Sequence, residues 1–162
     1  MKLNKPKFWD HEVNLIAILL IPISLIIQLI IFFKKKYTRE YKFQIPVICV
    51  GNIYIGGTGK TPLSLLIAKI FTEKSLKSVI IRKFYEDHQD EYSFIKFYFK
   101  NLITCKNRKI AIKEAQDKNY DIAILDDGFQ DYTVAKNLNI ICFNQSQMIG
   151  NGMMIPAGPL RE

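Results

Sequence analysis

The chain has 162 residues, 49% of them hydrophobic, which is enough apolar material for one packed domain and excludes a disordered chain. Its formal charge of +8 points to anionic partners: a nucleotide, a nucleic acid or the acidic headgroups of a membrane. Cys49, Cys105 and Cys142 are odd in number and widely spaced, which excludes a disulfide framework or zinc site and reads as buried thiols in a reducing compartment.

Met1 to Val13 is polar and basic, with Phe8 and Trp9 suited to an interface. Val13 to Phe33 is apolar apart from Asn14, Ser24 and Gln28, and it ends at Lys34, Lys35 and Lys36. As a helix it would be about 30 Å long, the thickness of a bilayer core. No small-residue cleavage site precedes the lysines, which argues against a secretory signal peptide. Apolar residues surround the whole circumference, which argues against a buried core helix. Pro22 and the lysines on both sides leave a spanning and an interfacial helix both open. Residues 1–36 thus read as a membrane-associated helix with basic flanks, and 37–162 as the globular part.

Residues 46–62, PVICVGNIYIGGTGKTP, join a β-branched strand, Val47 to Val50, to a glycine cluster ending in Lys60 and Thr61. Gly56, Gly57 and Gly59 let consecutive N–H groups turn inward on phosphate oxygens, and a helix starting near Lys60 adds its positive end. Lys60 would reach the β- and γ-phosphates, and the Thr61 hydroxyl would ligate Mg²⁺. The pattern G-x-x-x-x-G-K-[ST] asks for glycine where this chain has Tyr54, so the match is a variant carried by GGTGKT. A glycine-rich turn with an incidental lysine is the competing reading.

Pro62 to Phe71 repeats Leu63, Leu66, Ile67 and Ile70 at helical spacing, and Pro62 suits a first turn. A strand over Ser78 to Arg82 then completes a β-α-β unit. Residues 83–107 show no clean period. Asp87, Asp90 and Glu91 lie beyond the second strand, at the edge where open α/β sheets bind ligands. A carboxylate there could take a hydroxyl proton or hold Mg²⁺, although a solvated acidic loop is the plainer reading. Aromatics alternate with lysines over Phe94 to Lys100, which favours a half-buried or membrane-facing element over nucleic-acid stacking.

Arg108 to Ile112 reads as a short strand and Lys113 to Asn119 as a helix. Ile122 to Leu125 is a buried strand that delivers Asp126 and Asp127 to the edge occupied by the phosphate loop, a Walker-B-like arrangement in which a carboxylate holds magnesium opposite Thr61. A plain strand ending in an acidic turn stays open. Ile140 to Phe143 is one more strand, and GNGMMIPAGPLRE is an irregular, tightly turned close. The expected fold is α/β, a P-loop NTPase-like, mostly parallel sheet flanked by helices and preceded by the N-terminal helix.

VGNIYIGGTGKTP, ILDDGFQ and GNGMMIPAGPLRE, with the Phe8-Trp9 pair and the apolar start, together resemble the tetraacyldisaccharide 4'-kinase (lipid A 4'-kinase) family. The resemblance implies a kinase on the cytoplasmic face of the inner membrane that uses ATP and Mg²⁺ to phosphorylate the 4'-hydroxyl of a lipid A disaccharide precursor. It has inner-membrane lipid as surroundings and no nucleic-acid partner. By this resemblance Tyr54, Ile55, Gly56, Gly57, Thr58, Gly59, Lys60 and Thr61 form the ATP loop. Lys60 acts in catalysis, and Asp126 and Asp127 are the acidic pair near the metal. Asp90 stands for the base on the sugar hydroxyl, and Glu91 beside it is a further candidate metal ligand. The family's SRGYG segment corresponds to IRKFY, which keeps Arg82 and loses the glycines, Gln89 and Tyr92 flank the acidic pair in place of glycine and proline, and Asp131 stands where a histidine is common. The family is about twice this length and supplies a catalytic histidine from its second half. This chain therefore reads as the N-terminal portion of such a kinase, with little or no turnover expected from it alone. A membrane-anchored P-loop ATPase and a silent remnant that keeps only the fold are the alternatives. A GTPase is disfavoured, because no NKxD-type motif is present.

Overall fold

A computed structural model describes residues 6–10, 14–54, 57–145 and 148–162. The chain divides into two compact units, one of Met1–Thr38, Ile53–Thr58 and Phe143–Glu162, the other of Arg39–Asn52 and Gly59–Cys142.

The larger unit is built on five strands, β1 (Val47–Gly51), β2 (Ser78–Lys83), β3 (Leu102–Cys105), β4 (Ile122–Asp126) and β5 (Leu138–Ile141). They form one sheet in the order β3-β2-β4-β1-β5, with every pair parallel. A parallel sheet must be covered on both faces, which is why the middles of its inner strands are apolar at successive positions rather than alternating. Val47, Cys49, Val79, Ile81, Ala123 and Leu125 point to one face, which α4 (Arg108–Asp117) covers with Ala111, Ile112 and Ala115. Ile48, Val50, Ile80, Ile122 and Ile124 point to the other, beneath Ala68 of α2 (Lys60–Glu73) and Ile95 of α3 (Gln89–Tyr98). Each fully buried Val, Ile or Leu contributes about 1.5–3 kcal/mol, so these two layers hold the unit together.

Three expectations are corrected here. Arg108 to Ile112 is no strand: α4 runs unbroken from Arg108 to Asp117, started by the Asn107 side chain, which accepts the Lys109 N–H at 3.0 Å. The alternation of Ile110 and Ile112 suggested a strand, but Ile110 is 67% exposed, while Ala111, Ile112 and Ala115 share one helical face. The acidic stretch after β2 is no open loop either. It forms a 3-10 turn, Glu86–His88, followed by α3, because Tyr92 and Ile95 have a sheet to pack on. Phe97 and Tyr98 stay on the exposed side of that helix. The last strand lies two residues earlier than Ile140–Phe143, at Leu138–Ile141, where its register with β1 places Ile140 beside Val50. The strand β3 had no counterpart in the sequence reading.

In the smaller unit, α1 (Leu15–Tyr37) starts at Asn14, whose side chain accepts the Ile16 N–H at 2.9 Å, and runs through the three lysines to Tyr37. Its flank is almost wholly bare: Leu15 and Leu19 are more than three-quarters exposed. Among the described residues it is the one helix long and apolar enough to cross a membrane, with a mean hydropathy of 3.0. Only a thin stripe, Ala17 and Ser24, is buried. The Ser24 hydroxyl donates to the Met154 carbonyl at 2.9 Å and accepts the Ala157 N–H at 3.1 Å, so a polar residue within the apolar run anchors the turned segment that ends the chain. Trp9 Nε1 donates to the Pro156 carbonyl at 3.0 Å from the other side.

Gly158 sits at the crowded centre of this anchor. A Cβ there would lie 2.2 Å from Asn151 Oδ1 and 2.3 Å from the Met153 carbonyl oxygen. Gly158→Ala is expected to cost about 1–3 kcal/mol locally, since neighbouring backbone must shift. Amide exchange should show this as faster exchange at Gly158, whose N–H bonds the Met154 carbonyl, with the β-sheet amides unchanged. Unaltered exchange there would refute the packing argument.

Candidate active site

The strand order places β4 between β1 and β2, so the carboxyl ends of all three open on one edge. In open α/β sheets that edge carries the ligand. Gly59, with φ +74, turns the chain into α2, whose N-terminus has no side-chain cap. Lys60 and Thr61 are its first two residues.

Thr61 Oγ1 donates to Asp126 Oδ2 at 3.0 Å, and Ser64 Oγ, one turn later on the same face of α2, donates to Asp126 Oδ1 at 3.2 Å. Asp126 is the last residue of β4 and is fully buried. A carboxylate there is tolerable only if its charge is answered. The answer comes from Arg82 on β2, paired with Asp126 in the sheet register, whose Nη1 lies 2.5 Å from Asp126 Oδ2 and 2.9 Å from Thr61 Oγ1. The other end of the Arg82 fork, Nη2, meets Glu91 in the first turn of α3, and Glu91 Oε1 is 3.5 Å from His88 Nδ1. Arg82 therefore holds three elements, β4, α2 and α3, through one guanidinium.

Asp127 follows in the left-handed region with φ 55, its N–H bonded to the Val50 carbonyl at 2.9 Å. That turn separates the two adjacent carboxylates: Asp126 faces Arg82, whereas Asp127 Oδ1 faces Lys60 Nζ at 3.6 Å. The Asp127 carbonyl accepts from Arg108 Nη2 at 2.7 Å. Beneath the turn, burial pushes the Cys49 thiol up to about 11, so it stays protonated and inert at neutral pH. Cys142 is buried too, whereas Cys105 is only partly so, and all three are free thiols.

Lys60, Thr61, Asp126, Asp127 and Glu91 thus meet at one sheet edge, Glu91 through Arg82. Asp90 is exposed in the first turn of α3 beside Glu91. Tyr54, the departure from the glycine pattern, is fully buried in the smaller unit, where its ring lies tilted beside Phe143, its hydroxyl receives the Asn144 N–H and its backbone bridges to Leu160. Gly57 is exposed and Thr58 half-buried, and Ile55 and Gly56 lie outside the described residues. The sequence reading assigned no role to Arg82 or Ser64. A strand ending in arginine, on a chain with another strand ending in aspartate, was the signal available for the first. Ser64 could be reached only by placing it one turn after Thr61.

The family model described as LpxK, Tetraacyldisaccharide-1-P 4'-kinase, matches residues 16–96 and 90–162. The chain is similar to the tetraacyldisaccharide 4'-kinase of Pelagibacter ubique, with 44% identity over all of this chain and 51% of that protein. With the enzyme of the same name from Rickettsia felis it shares 34% identity, over all of this chain and 54% of that one. The chain spans about half the length of the curated relatives it matches. A crystal structure of the "apo" form of LpxK from Aquifex aeolicus in complex with ATP resembles it with a TM-score of 0.73 and 25% identity, covering 91% of this chain and 55% of that one. The family-model matches together run over residues 16–162, and the chain belongs to the tetraacyldisaccharide 4'-kinase (LpxK) family.

Proposed function

We propose that these residues form the nucleotide-holding portion of a kinase that transfers phosphate from ATP to the 4'-hydroxyl of a tetraacyldisaccharide 1-phosphate, the lipid A precursor, at the cytoplasmic face of the inner membrane. The observation that carries this reading is the Thr61 hydroxyl 3.0 Å from a fully buried Asp126, with Lys60 beside Asp127 on the next residue. A lysine and a hydroxyl opening a helix opposite a strand-end carboxylate is the equipment for holding a triphosphate and its metal. Within the larger unit Gly59 to Thr61 is the nucleotide-facing segment, with Lys60 toward the transferred phosphate and the N-terminus of α2 toward its oxygens.

Thr61 and Asp126 fit Mg²⁺: both offer hard oxygen donors, and the Arg82 guanidinium stands against both oxygens, answering the Asp126 charge as a cation would. Asp127 and Glu91 extend the acidic surroundings. When bound, the metal would neutralise charge on the phosphates. Asp90, exposed at the start of α3, would take the proton of the sugar hydroxyl. The bare apolar flank of α1 and its lysine-rich end support placement at a membrane whose basic side is cytoplasmic.

The test uses the 162-residue chain in detergent micelles with ATP, Mg²⁺ and tetraacyldisaccharide 1-phosphate. Weak binding of a non-hydrolysable ATP analogue and turnover near background are expected, because half of each relative has no counterpart in these residues. Absence of any analogue binding would remove the nucleotide reading. Phosphate release without a lipid product would support an ATPase instead.

A further inference from the structure

A second basic site lies in the larger unit, on the far side of the Asp127 turn from Lys60. A cavity of about 280 Å³ opens at the start of α4, lined by Lys83, Lys106, Arg108 and Lys109 with Asp131 as its one acidic residue. Asp131 is already committed. Burial opposes its ionisation, but the Thr133 hydroxyl and N–H, bonded to Oδ1 at 2.6 and 3.1 Å, and the nearby Arg108 guanidinium outweigh this and hold the carboxyl below its usual range. Arg108 is over nine-tenths buried, an expensive place for a cation, and its Nη1 contact with Asp131 is long at 3.4 Å. Its Nε–H is buried with no hydrogen-bond partner. A buried guanidinium with a spare donor normally costs stability unless a ligand answers it. Among the described residues Lys83 Nζ meets the face of Tyr85 at 5.7 Å and no carboxylate, and no acidic residue occupies the first turn of α4. The helix therefore adds its positive end to an existing excess of cations.

We propose that this cavity binds the phosphomonoester of a sugar phosphate, the phosphate that the acceptor already carries before the new one is added. The choice of ligand rests on the kinase reading above, in which the acceptor is a disaccharide phosphorylated at its other end. Nucleic acid is disfavoured, because the cations converge on one small pocket rather than lining a track. Asp127 touches both places, with its carboxylate facing Lys60 and its carbonyl held by Arg108, so the two ends of a disaccharide would be read from opposite sides of one turn.

The test follows backbone amide shifts of the full chain in micelles during titration with glucosamine 1-phosphate, inorganic phosphate and sulfate. Saturable shifts at Arg108, Lys109 and Ile110, at least several-fold tighter for glucosamine 1-phosphate than for the two inorganic ions, are expected. The pair Lys106→Gln and Lys109→Gln should weaken that binding about tenfold while leaving ATP-analogue shifts at Lys60 unchanged. Equal response to all three anions would mean an adventitious ion only and would overturn the proposal, as would no response at these amides. Sugar-phosphate binding without analogue binding at Lys60 would leave this site standing and sink the kinase reading, and the reverse outcome would do the opposite.

Discussion

Replacing Asp126 with alanine is expected to lower the unfolding free energy by about 3–5 kcal/mol, the usual cost of stranding one member of a buried ion pair. Asp126 is fully buried, and it answers Arg82, which is itself only 9% exposed. Glu91 remains to pair with the other end of the guanidinium, which places the effect toward the lower end of that range. Thr61 and Ser64 would lose their shared acceptor as well. In a chain of this size the corresponding fall in melting temperature is roughly 10 °C. Urea titration of the chain in micelles, followed by circular dichroism, measures it. The double variant Asp126→Leu with Arg82→Met should recover most of the loss, because an apolar pair of similar volume carries no charge to desolvate. An Asp126→Ala chain as stable as the parent would show that the Arg82 network contributes nothing to the fold.

Lys60→Ala should weaken binding of an ATP analogue about 10- to 100-fold, the worth of one charge-assisted contact of about 1.5–3 kcal/mol to a phosphate. Stability should barely change: Lys60 and Asp127 are both partly exposed, and such pairs contribute about 0–1 kcal/mol. The two substitutions are thus expected to separate: Asp126 acts mainly on folding, Lys60 mainly on ligand. Isothermal titration with the analogue, set beside the urea curves, reads both quantities. Undiminished analogue binding by the Lys60→Ala chain would detach this lysine from the phosphates.

The residues that open α2 and close β4 were legible because each signal is local. A β-branched run followed by glycines and Lys60-Thr61, and another apolar run followed by Asp126-Asp127, need no partner to be recognised. The same is true of α1, where unbroken hydropathy marks a helix without any knowledge of its surroundings. Contacts that need two elements to be paired first leave no such local signal. Arg82 meets Asp126 only because β2 and β4 align in one register, and nothing near Arg82 in the chain encodes that. The helix over Arg108–Asp117 was misread because Ile110 and Ile112 alternate like a strand, and only the sheet face available to Ala111, Ile112 and Ala115 decides the period. Ser24, an interruption when seen in sequence, is a hydrogen-bonding anchor for a segment 130 residues away.

By itself, then, the sequence determined the class of fold, the apolar helix and the lysine, threonine and aspartates of the sheet edge, since periodicity and short motifs are properties of neighbouring residues. The tertiary structure decided which charges answer one another, that Tyr54 is a core residue, and that a buried arginine opens onto a basic cavity at α4. Burial and long-range pairing set those outcomes, and both arise only once strands distant in the chain lie side by side.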